Sequence, residues 1–308
     1  MLRIGTRGSK LALWQAEYIR SRLLRECGVE SELVIIKTAG DQFASAAIPD
    51  VGGKGIFIRE IEDALLERRV DLAVHSMKDV PTETPRGLSF PAIIKREDPR
   101  DCLVSRSGAA LAELPAGARV GTSSLRRQAQ LRYIRGDLQV VDLRGNVDTR
   151  LRKLDADEVD AIILARAGLD RLGLSGRVTA TLAPEVMLSA VGQGALALEV
   201  REDDARVLEA LARFDDPETR AAVTAERALL AELEGGCQVP LGAWARIERG
   251  MLRMDARVLA ADGSECIERD ASGSPADAEK IGRKLARELL DAGADRLLRL
   301  AGRSVGGH

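Results

Sequence analysis

The sequence predicts an α/β protein with two lobes built on parallel-rich sheets, followed by a small α+β C-terminal domain with an antiparallel sheet. Three observations carry this. Strand and helix signals alternate through roughly the first two hundred residues, as in layered α/β domains. One strand–Gly-Thr–helix pattern occurs twice, and after Gly235-Gly236 the pattern changes to successive strands and a closing helix.

The first series opens with a short buried strand, Leu2 to Gly5. A helix follows from Lys10 to Glu26, with Ser9 as N-cap and Leu11, Trp14, Ile19 and Leu23 as its apolar stripe. Ser31 to Lys37 reads as a strand, Ile56 to Glu67 as a helix, and Leu72 to His75 as a strand. Between them, 39–55 holds Gly52-Gly53-Lys54-Gly55 and reads as a long loop, too glycine-rich for regular structure and suited to mobility. A second series begins at Val120. It has a helix after Ser123-Ser124, a strand at Gln139 to Leu143, a helix from Val147 and a strand at Ala161 to Leu164. Ile4-Gly5-Thr6-Arg7-Gly8-Ser9 parallels Val120-Gly121-Thr122-Ser123-Ser124, and Val70-Asp71-Leu72 parallels Val159-Asp160-Ala161. Two such lobes facing one another would form a cleft. Ala195 to Val200 reads as a further strand, Asp203 to Leu211 and Pro217 to Leu233 as helices. Strands at Ala243 to Ile247, Met251 to Leu259 and Glu265 to Ala271 then lead into a helix from Ala276 to Asp291.

Composition narrows the function. The chain has 308 residues, 45% hydrophobic and 31% charged, which is ordinary for a globular protein. A net charge of −2 and an aromatic fraction of 3% give no support to nucleic-acid binding. No apolar run approaches a membrane span, and the N-terminus has no secretory h-region. Cys27, Cys102, Cys237 and Cys266 are scattered without metal-ligand spacing, and only His75 and His308 are present. A disulfide framework and a metal site are therefore unexpected, and a cytoplasmic location fits.

Three clusters could carry chemistry. Thr122-Ser123-Ser124 lies where a strand meets a helix N-terminus, a place that favours anions, and Arg126 and Arg127 follow at once. Arg144, Arg150 and Arg171 fall at further strand–helix junctions, and Arg7 and Ser9 occupy the matching junction of the first series. Arginine forks converging on one crevice suit a ligand rich in carboxylates, although each could instead be a surface residue or cap. His75-Ser76-Met77-Lys78-Asp79-Val80-Pro81 places polar groups directly beyond a buried strand. Asp79 could there stabilise a developing cation, or be an exposed partner of Lys78. Cys237, in Glu234-Gly235-Gly236-Cys237-Gln238-Val239-Pro240, is held in a constrained loop and would be reactive only in an electropositive setting. A hydrolase nucleophile at Cys237 fits poorly with so few histidines, and a non-enzymatic solute-binding pair remains the rival from another class.

These segments resemble the porphobilinogen deaminase family. The resemblance is carried by Gly5-Thr6-Arg7-Gly8-Ser9-Lys10-Leu11-Ala12-Leu13-Trp14-Gln15, Val51-Gly52-Gly53-Lys54-Gly55, the 75–81 segment and Arg96-Glu97-Asp98-Pro99-Arg100-Asp101. Further on it is carried by Gly121-Thr122-Ser123-Ser124-Leu125-Arg126-Arg127-Gln128, Leu143-Arg144-Gly145-Asn146-Val147, Ala190-Val191-Gly192-Gln193-Gly194-Ala195 and the segment around Cys237. They run in order through the first 245 or so residues.

The resemblance implies two lobes like those of periplasmic binding proteins, with a third domain bearing the cysteine. The expected division is 1–95 with 195–212, then 100–190, then 217–305. It implies a transferase of tetrapyrrole biosynthesis that condenses four porphobilinogen molecules, with loss of ammonia, into hydroxymethylbilane. The cofactor is a dipyrromethane held by a thioether to Cys237. Asp79 is the expected catalytic carboxylate, steadying cationic azafulvene-like intermediates. Lys78, Asp79, Thr122, Ser123, Ser124, Arg126, Arg127, Arg144 and Asn146 would bind the cofactor. Arg7, Ser9, Arg144, Arg150 and Arg171 would position the substrate. The family is usually monomeric. Two residues depart from its pattern: Asp148, where glycine is usual, and Arg166, where a small or apolar residue is.

Overall fold

The first helix starts where Ser9 accepts a hydrogen bond from the Ala12 amide, and it ends at Gly28 in the left-handed conformation (φ 64°). The computed structural model describes residues 1–38, 58–233 and 239–305; the 39–55 loop and Cys237 lie outside them. In chain order the elements are β1 (Leu2–Thr6), α1 (Lys10–Cys27), β2 (Ser31–Ile35), α2 (Arg59–Leu66), β3 (Leu72–Ser76), β4 (Leu88–Ile94) and β5 (Asp101–Ser105). There follow β6 (Arg119–Gly121), α3 (Leu125–Ile134), β7 (Gln139–Val141), α4 (Val147–Asp155), β8 (Ala161–Ala165), α5 (Arg166–Arg171), β9 (Ala180–Thr181) and β10 (Leu196–Arg201). The chain ends with α6 (Ala205–Leu211), α7 (Pro217–Glu232), β11 (Leu241–Glu248), β12 (Met251–Leu259), β13 (Cys266–Gly273), α8 (Ala278–Asp291) and α9 (Ala294–Val305). Contacts divide the chain into Met1–Glu97 with Ala195–Arg220, and Asp98–Gly194 with Ala221–His308.

The first unit holds one sheet in the order β2-β1-β3-β10-β4. β2, β1 and β3 run parallel, while β10 is antiparallel to both β3 and β4. Period-2 alternation sends Leu72 and Val74 to the face covered by Ala16, Ile19 and Leu23 of α1, and Ala73 to the face covered by Ile61, Ala64 and Leu65 of α2. The expected stripe of α1 needs correction. Gln15, Ala16, Ile19 and Leu23 are buried, whereas Leu11 and Trp14 are half-buried, and Trp14 stacks on Tyr18 at 5.4 Å. β4 gives no clean strand signal in the sequence because Pro91 interrupts it. The sheet tolerates that proline on an edge strand, where the β10 pairing also shifts register.

The second unit repeats this plan. Its first sheet has the order β7-β6-β8-β5-β9, again three parallel strands joined by antiparallel ones. The registers correspond: Ile4 pairs with Leu72 and Gly5 with Ala73, as Val120 pairs with Ala161 and Gly121 with Ile162. A staple is repeated as well. The Arg3 amide and Nε donate to Asp71 Oδ2 at 2.9 and 3.1 Å and Nη2 to Oδ1 at 2.9 Å; Arg119 makes the same three bonds to Asp160 at 2.8, 3.2 and 2.8 Å. The Val-Asp pairs of the sequence are thus anchors that join the third strand of each series to the first.

The remaining strands form the antiparallel meander β11-β12-β13. Leu252, Met254, Ala256 and Val258 alternate inward from β12 onto Ala225 and Leu229 of α7 and Leu285, Ala286 and Leu289 of α8. The two helices touch at Gly282, where a Cβ would stand 2.1 Å from the Ala225 carbonyl oxygen. Gly282→Ala is therefore expected to destabilise the protein by about 2 kcal/mol through overpacking, against the roughly 1 kcal/mol that alanine gains as a helix former. Urea unfolding of the two proteins measures the sign.

On the α2 face of the first sheet, His75 Nε2 lies 2.9 Å from Oε2 of the fully buried Glu199, whose Oε1 has no partner among the described residues. Half-buried Glu62 of α2 faces this pair. Burial, then the Glu199 charge, pushes its carboxyl up to about 7, with His75 and Arg59 opposing. The folded value is raised, so the contribution of protonated Glu62 is complete below its ordinary value of 4.5 and is lost as pH rises through about 7. Glu62→Gln is expected to match the parent at pH 5 and exceed it at pH 8 by on the order of 1 kcal/mol, after allowance for solvent screening. Denaturant midpoints at the two pH values give the difference.

Candidate active site

In the first unit the chain leaves β3 through a single 3-10 turn, Met77–Asp79. Met77 and Val80 are buried, and the Met77 amide is tied to the Ala195 carbonyl at 3.0 Å. Buried Met77 and Val80 bracket Lys78 and Asp79, of which Lys78 is half-buried and Asp79 exposed. Ser76 at the strand end accepts from Nε2 of buried Gln15 at 2.9 Å. Because β1 and β3 are parallel neighbours, Arg7 and Ser9 leave the sheet at the same edge as Lys78 and Asp79. Ser9 spends its hydroxyl on the α1 cap, and Arg7 is half-buried.

The corresponding edge of the second unit is richer in charge. Thr122 is fully buried, with its Oγ1 accepting from the Ser124 amide, and Ser124 caps α3 by accepting from Arg127 N. The next turn carries Arg126 and Arg127, both buried, and both converge on the fully buried Asp101 at the head of β5. Arg126 Nη1 donates to Asp101 Oδ2 and to the Leu188 carbonyl, each at 2.6 Å. Arg127 donates through Nη2 and Nε to Asp101 Oδ1 at 2.7 and 3.2 Å, and through Nη1 to the Ile163 carbonyl at 3.1 Å. Gln193 adds a bond to Asp101 Oδ1 at 2.9 Å. Burial alone would push the Asp101 carboxyl up, but the two guanidiniums outweigh it and hold it far below the usual carboxylate range. Arg126 is shifted downward by burial, with Asp101 opposing and Arg127 adding to the shift.

The other arginines read from the sequence distribute around this edge. Arg150 on α4 donates Nε to the Gly145 carbonyl at 2.8 Å; burial, then the charge of Arg127, draws its pKa down to about 10. The shift follows from partial loss of water beside a second cation, and a nearby anion would offset it. Arg171 is buried and donates to the Gly194 carbonyl at 2.7 Å. Arg144 is exposed and pairs with Asp142 at 3.0 Å, Ser123 is half-buried, and exposed Asn146 caps α4 by accepting from the Thr149 amide. Thr122, Arg126, Arg127 and Arg150 are thus brought together, while Arg144 and Asn146 stand at the outer rim.

Both departures from the family pattern have local explanations. Asp148 lies in the first turn of α4, where the helix dipole favours a carboxylate. Arg166 is committed to Asp170, at 2.8 Å from both oxygens, and to Thr181.

Cys237 lies outside the described residues, but its flanks do not: buried Leu233 and half-buried Val239 both pack into the C-terminal core. The other thiols are unsuited to attack. Burial, reinforced by Asp101, pushes Cys102 up to about 12, and burial with Glu268 pushes Cys266 up to about 11. Half-buried Cys27 donates to the Ala210 carbonyl. No helix of the described residues is long and apolar enough to cross a membrane, and they contain no cluster able to hold a metal ion.

The sequence alone assigns no role to Asp101 or Gln193. The visible signal was a charged residue at the head of the apolar run Cys102-Leu103-Val104, a place where a side chain either reaches a site edge or needs a buried partner.

Known proteins bear on the same residues. Residues 2–209 match the family described as "Porphobilinogen deaminase, dipyromethane cofactor binding domain", and residues 220–291 match "Porphobilinogen deaminase, C-terminal domain". A protein of Syntrophobacter fumaroxidans named "Porphobilinogen deaminase" is 53% identical over 299 residues, 97% of each chain. Among solved structures, a periplasmic substrate-binding protein of an ABC transporter from Coxiella burnetii is 16% identical, with a TM-score of 0.43 over 70% of this chain and 93% of its own.

Proposed function

The chain belongs to the porphobilinogen deaminase family, and on that premise we propose how its residues divide the work. It is a transferase of tetrapyrrole biosynthesis that condenses four porphobilinogen molecules into hydroxymethylbilane with loss of ammonia, and it uses a dipyrromethane cofactor. The observation that carries the assignment of residues is the surplus of guanidinium charge at the edge of the second sheet. Two buried arginines share one carboxylate there, beside a third, half-buried arginine, Arg150. Each porphobilinogen ring brings two carboxylates, so a chain of linked rings is the kind of ligand that such a surplus fits.

The cofactor supplies a pyrrole carbon on which the chain is extended. Its anchor is the Cys237 thiol, a reading supported by the raised or occupied thiols elsewhere among the described residues. Lys78, Thr122, Ser123, Ser124, Arg126, Arg127, Arg144 and Asn146 hold its acidic side chains, and Arg7, Ser9, Arg144, Arg150 and Arg171 orient the incoming pyrrole. Asp79 is the catalytic carboxylate. The Met77–Val80 turn presents it outward, so it can meet a pyrrole N–H and steady positive charge as the aminomethyl nitrogen departs. Fixed arginines match negative charge as it accumulates without reorganising at each addition. The protein works as a cytoplasmic monomer, binds neither nucleic acid nor membrane, and its second unit comprises two domains, the second lobe and the cysteine-bearing one.

Asp79→Ala is expected to lower turnover by about a hundredfold or more, the loss typical of removing one preorganised partner from a charge-developing centre, with the unfolding midpoint unchanged. Near-normal turnover removes Asp79 from the chemistry. Intact mass tests the anchor: the parent protein should carry a covalent dipyrromethane that reacts with Ehrlich's reagent, and Cys237→Ser should carry none. An adduct persisting in that variant places the thioether elsewhere.

A further inference from the structure

We infer that Asp101 is a positioning residue for cofactor capture: it occupies the place between Arg126 and Arg127 in advance, and so fixes both guanidiniums before any ligand arrives. This rests on the reading above that the two arginines hold the cofactor's acidic groups. Two guanidiniums on successive residues of one helix repel each other and would ordinarily splay toward water. Here both are buried, and among the described residues the only carboxylate hydrogen-bonded to either is Asp101, itself without exposed surface.

The bonds are unevenly spent. Arg127 uses Nε, Nη1 and Nη2, so it is a fixed strut and a fixed charge. Arg126 uses Nη1 alone, toward Asp101 and the Leu188 carbonyl. Its Nε and Nη2 take no partner among the described residues, and that edge of a guanidinium is the one that grips a carboxylate with two parallel bonds. Asp101 thus turns Arg126 so that its bidentate edge stays open.

The acceptors around Asp101 are fixed in turn. Gln193 Nε2 spans the Pro99 carbonyl at 2.6 Å and Asp101 Oδ1 at 2.9 Å. Gln130 grips both the amide and the carbonyl of Leu188, at 2.8 and 3.1 Å, and receives Arg257 from β12 at 3.1 Å. The two guanidiniums hold the Asp101 carboxyl far below the usual carboxylate range, which suits it to orientation and charge compensation.

The test is capture of cofactor by full-length apo-protein incubated with porphobilinogen, followed by intact mass. Asp101→Asn keeps the shape and removes the charge. It is expected to load about tenfold more slowly or worse, as the loss of an orienting outer partner typically does. Turnover per loaded molecule and the KM for porphobilinogen should stay at the parent values. Asp101→Glu, which keeps the charge, should recover part of the loading rate; a merely structural aspartate would not separate these variants by charge. Loading of Asp101→Asn at the parent rate overturns the inference. Should Asp101→Asn not fold, Gln193→Met decides: slower loading in a folded protein supports the inference, and parent-rate loading overturns it. Arg126→Gln separates the two levels. Normal loading there sinks the assignment of the arginines to the cofactor, whereas failed loading there beside normal loading in Asp101→Asn sinks the role of Asp101 alone.

Discussion

Two guanidiniums and one carboxylate buried together at the edge of a sheet set the terms for much of the second unit. Removing ions from water is expensive, and the attraction between them compensates only when the remaining hydrogen-bonding capacity is also met. Asp101 therefore needs both arginines. The arginines in turn need the Leu188 and Ile163 carbonyls, and Asp101 takes a further donor from Gln193. These demands fix the start of α3, the head of β5, the end of β8 and the 188–193 segment relative to one another. Gln130 carries the constraint into the C-terminal sheet by way of Arg257, which also reaches the Glu185 carbonyl. What the cluster does not satisfy is its own charge, since two cations share one anion while Arg150 stands close enough to suffer from Arg127. The fold supplies the rigidity, and under the proposed function the ligand supplies the neutralising anion.

The scaffold beneath is built twice from one device. Arg3–Asp71 and Arg119–Asp160 make the same set of bonds, joining the first strand of each series to the start of the third. Gly5 and Gly121 then sit where a methyl group would press on Val70 or Leu143, which lets the strand run close beneath its neighbour before the buried threonine that follows. The staples lie at the amino ends of the parallel strands. The opposite, carboxyl ends were left to diverge. One series places an exposed turn with Lys78 and Asp79 beyond its third strand, while the other places α5 there. The shared features hold the scaffold together, and the differences fall at the strand ends where the proposed chemistry is placed.

This distinction explains what could be read from the residues alone. Ser9 and Ser124 are recognisable as caps, and Val-Asp as the opening of a strand, because those signals are local and periodic. Lys78-Asp79 is recognisable as a polar pair directly beyond a buried strand, while its degree of exposure is not. Trp14 misleads because an aromatic at helical spacing reads as core, yet here it lies half-buried against Tyr18. β4 and β5 escape notice because one carries a proline at an edge and the other is five residues long beside a charged head. Asp101 is invisible for a deeper reason. Its meaning lies in residues 25 and 92 positions away, through Arg126 and Gln193, and no window of sequence contains that geometry.

The two aspartates complete the logic, because the same side chain serves opposite ends through its surroundings. Asp101, sealed beneath two arginines, cannot be reached by a ligand, and its negative charge is already cancelled; it suits orientation and nothing else. Asp79 stands exposed on a turn only three residues long, held by buried apolar anchors and by no bulk of its own. In the role proposed for Asp79, the carboxylate has to be accessible, yet its backbone has to be rigid enough to return to the same place at each addition. A short turn clamped by Met77 and Val80 meets both requirements, whereas a longer loop would trade away the second and a strand position the first. The pattern Met77-Lys78-Asp79-Val80 thus gives the proposed carboxylate both exposure and a fixed backbone.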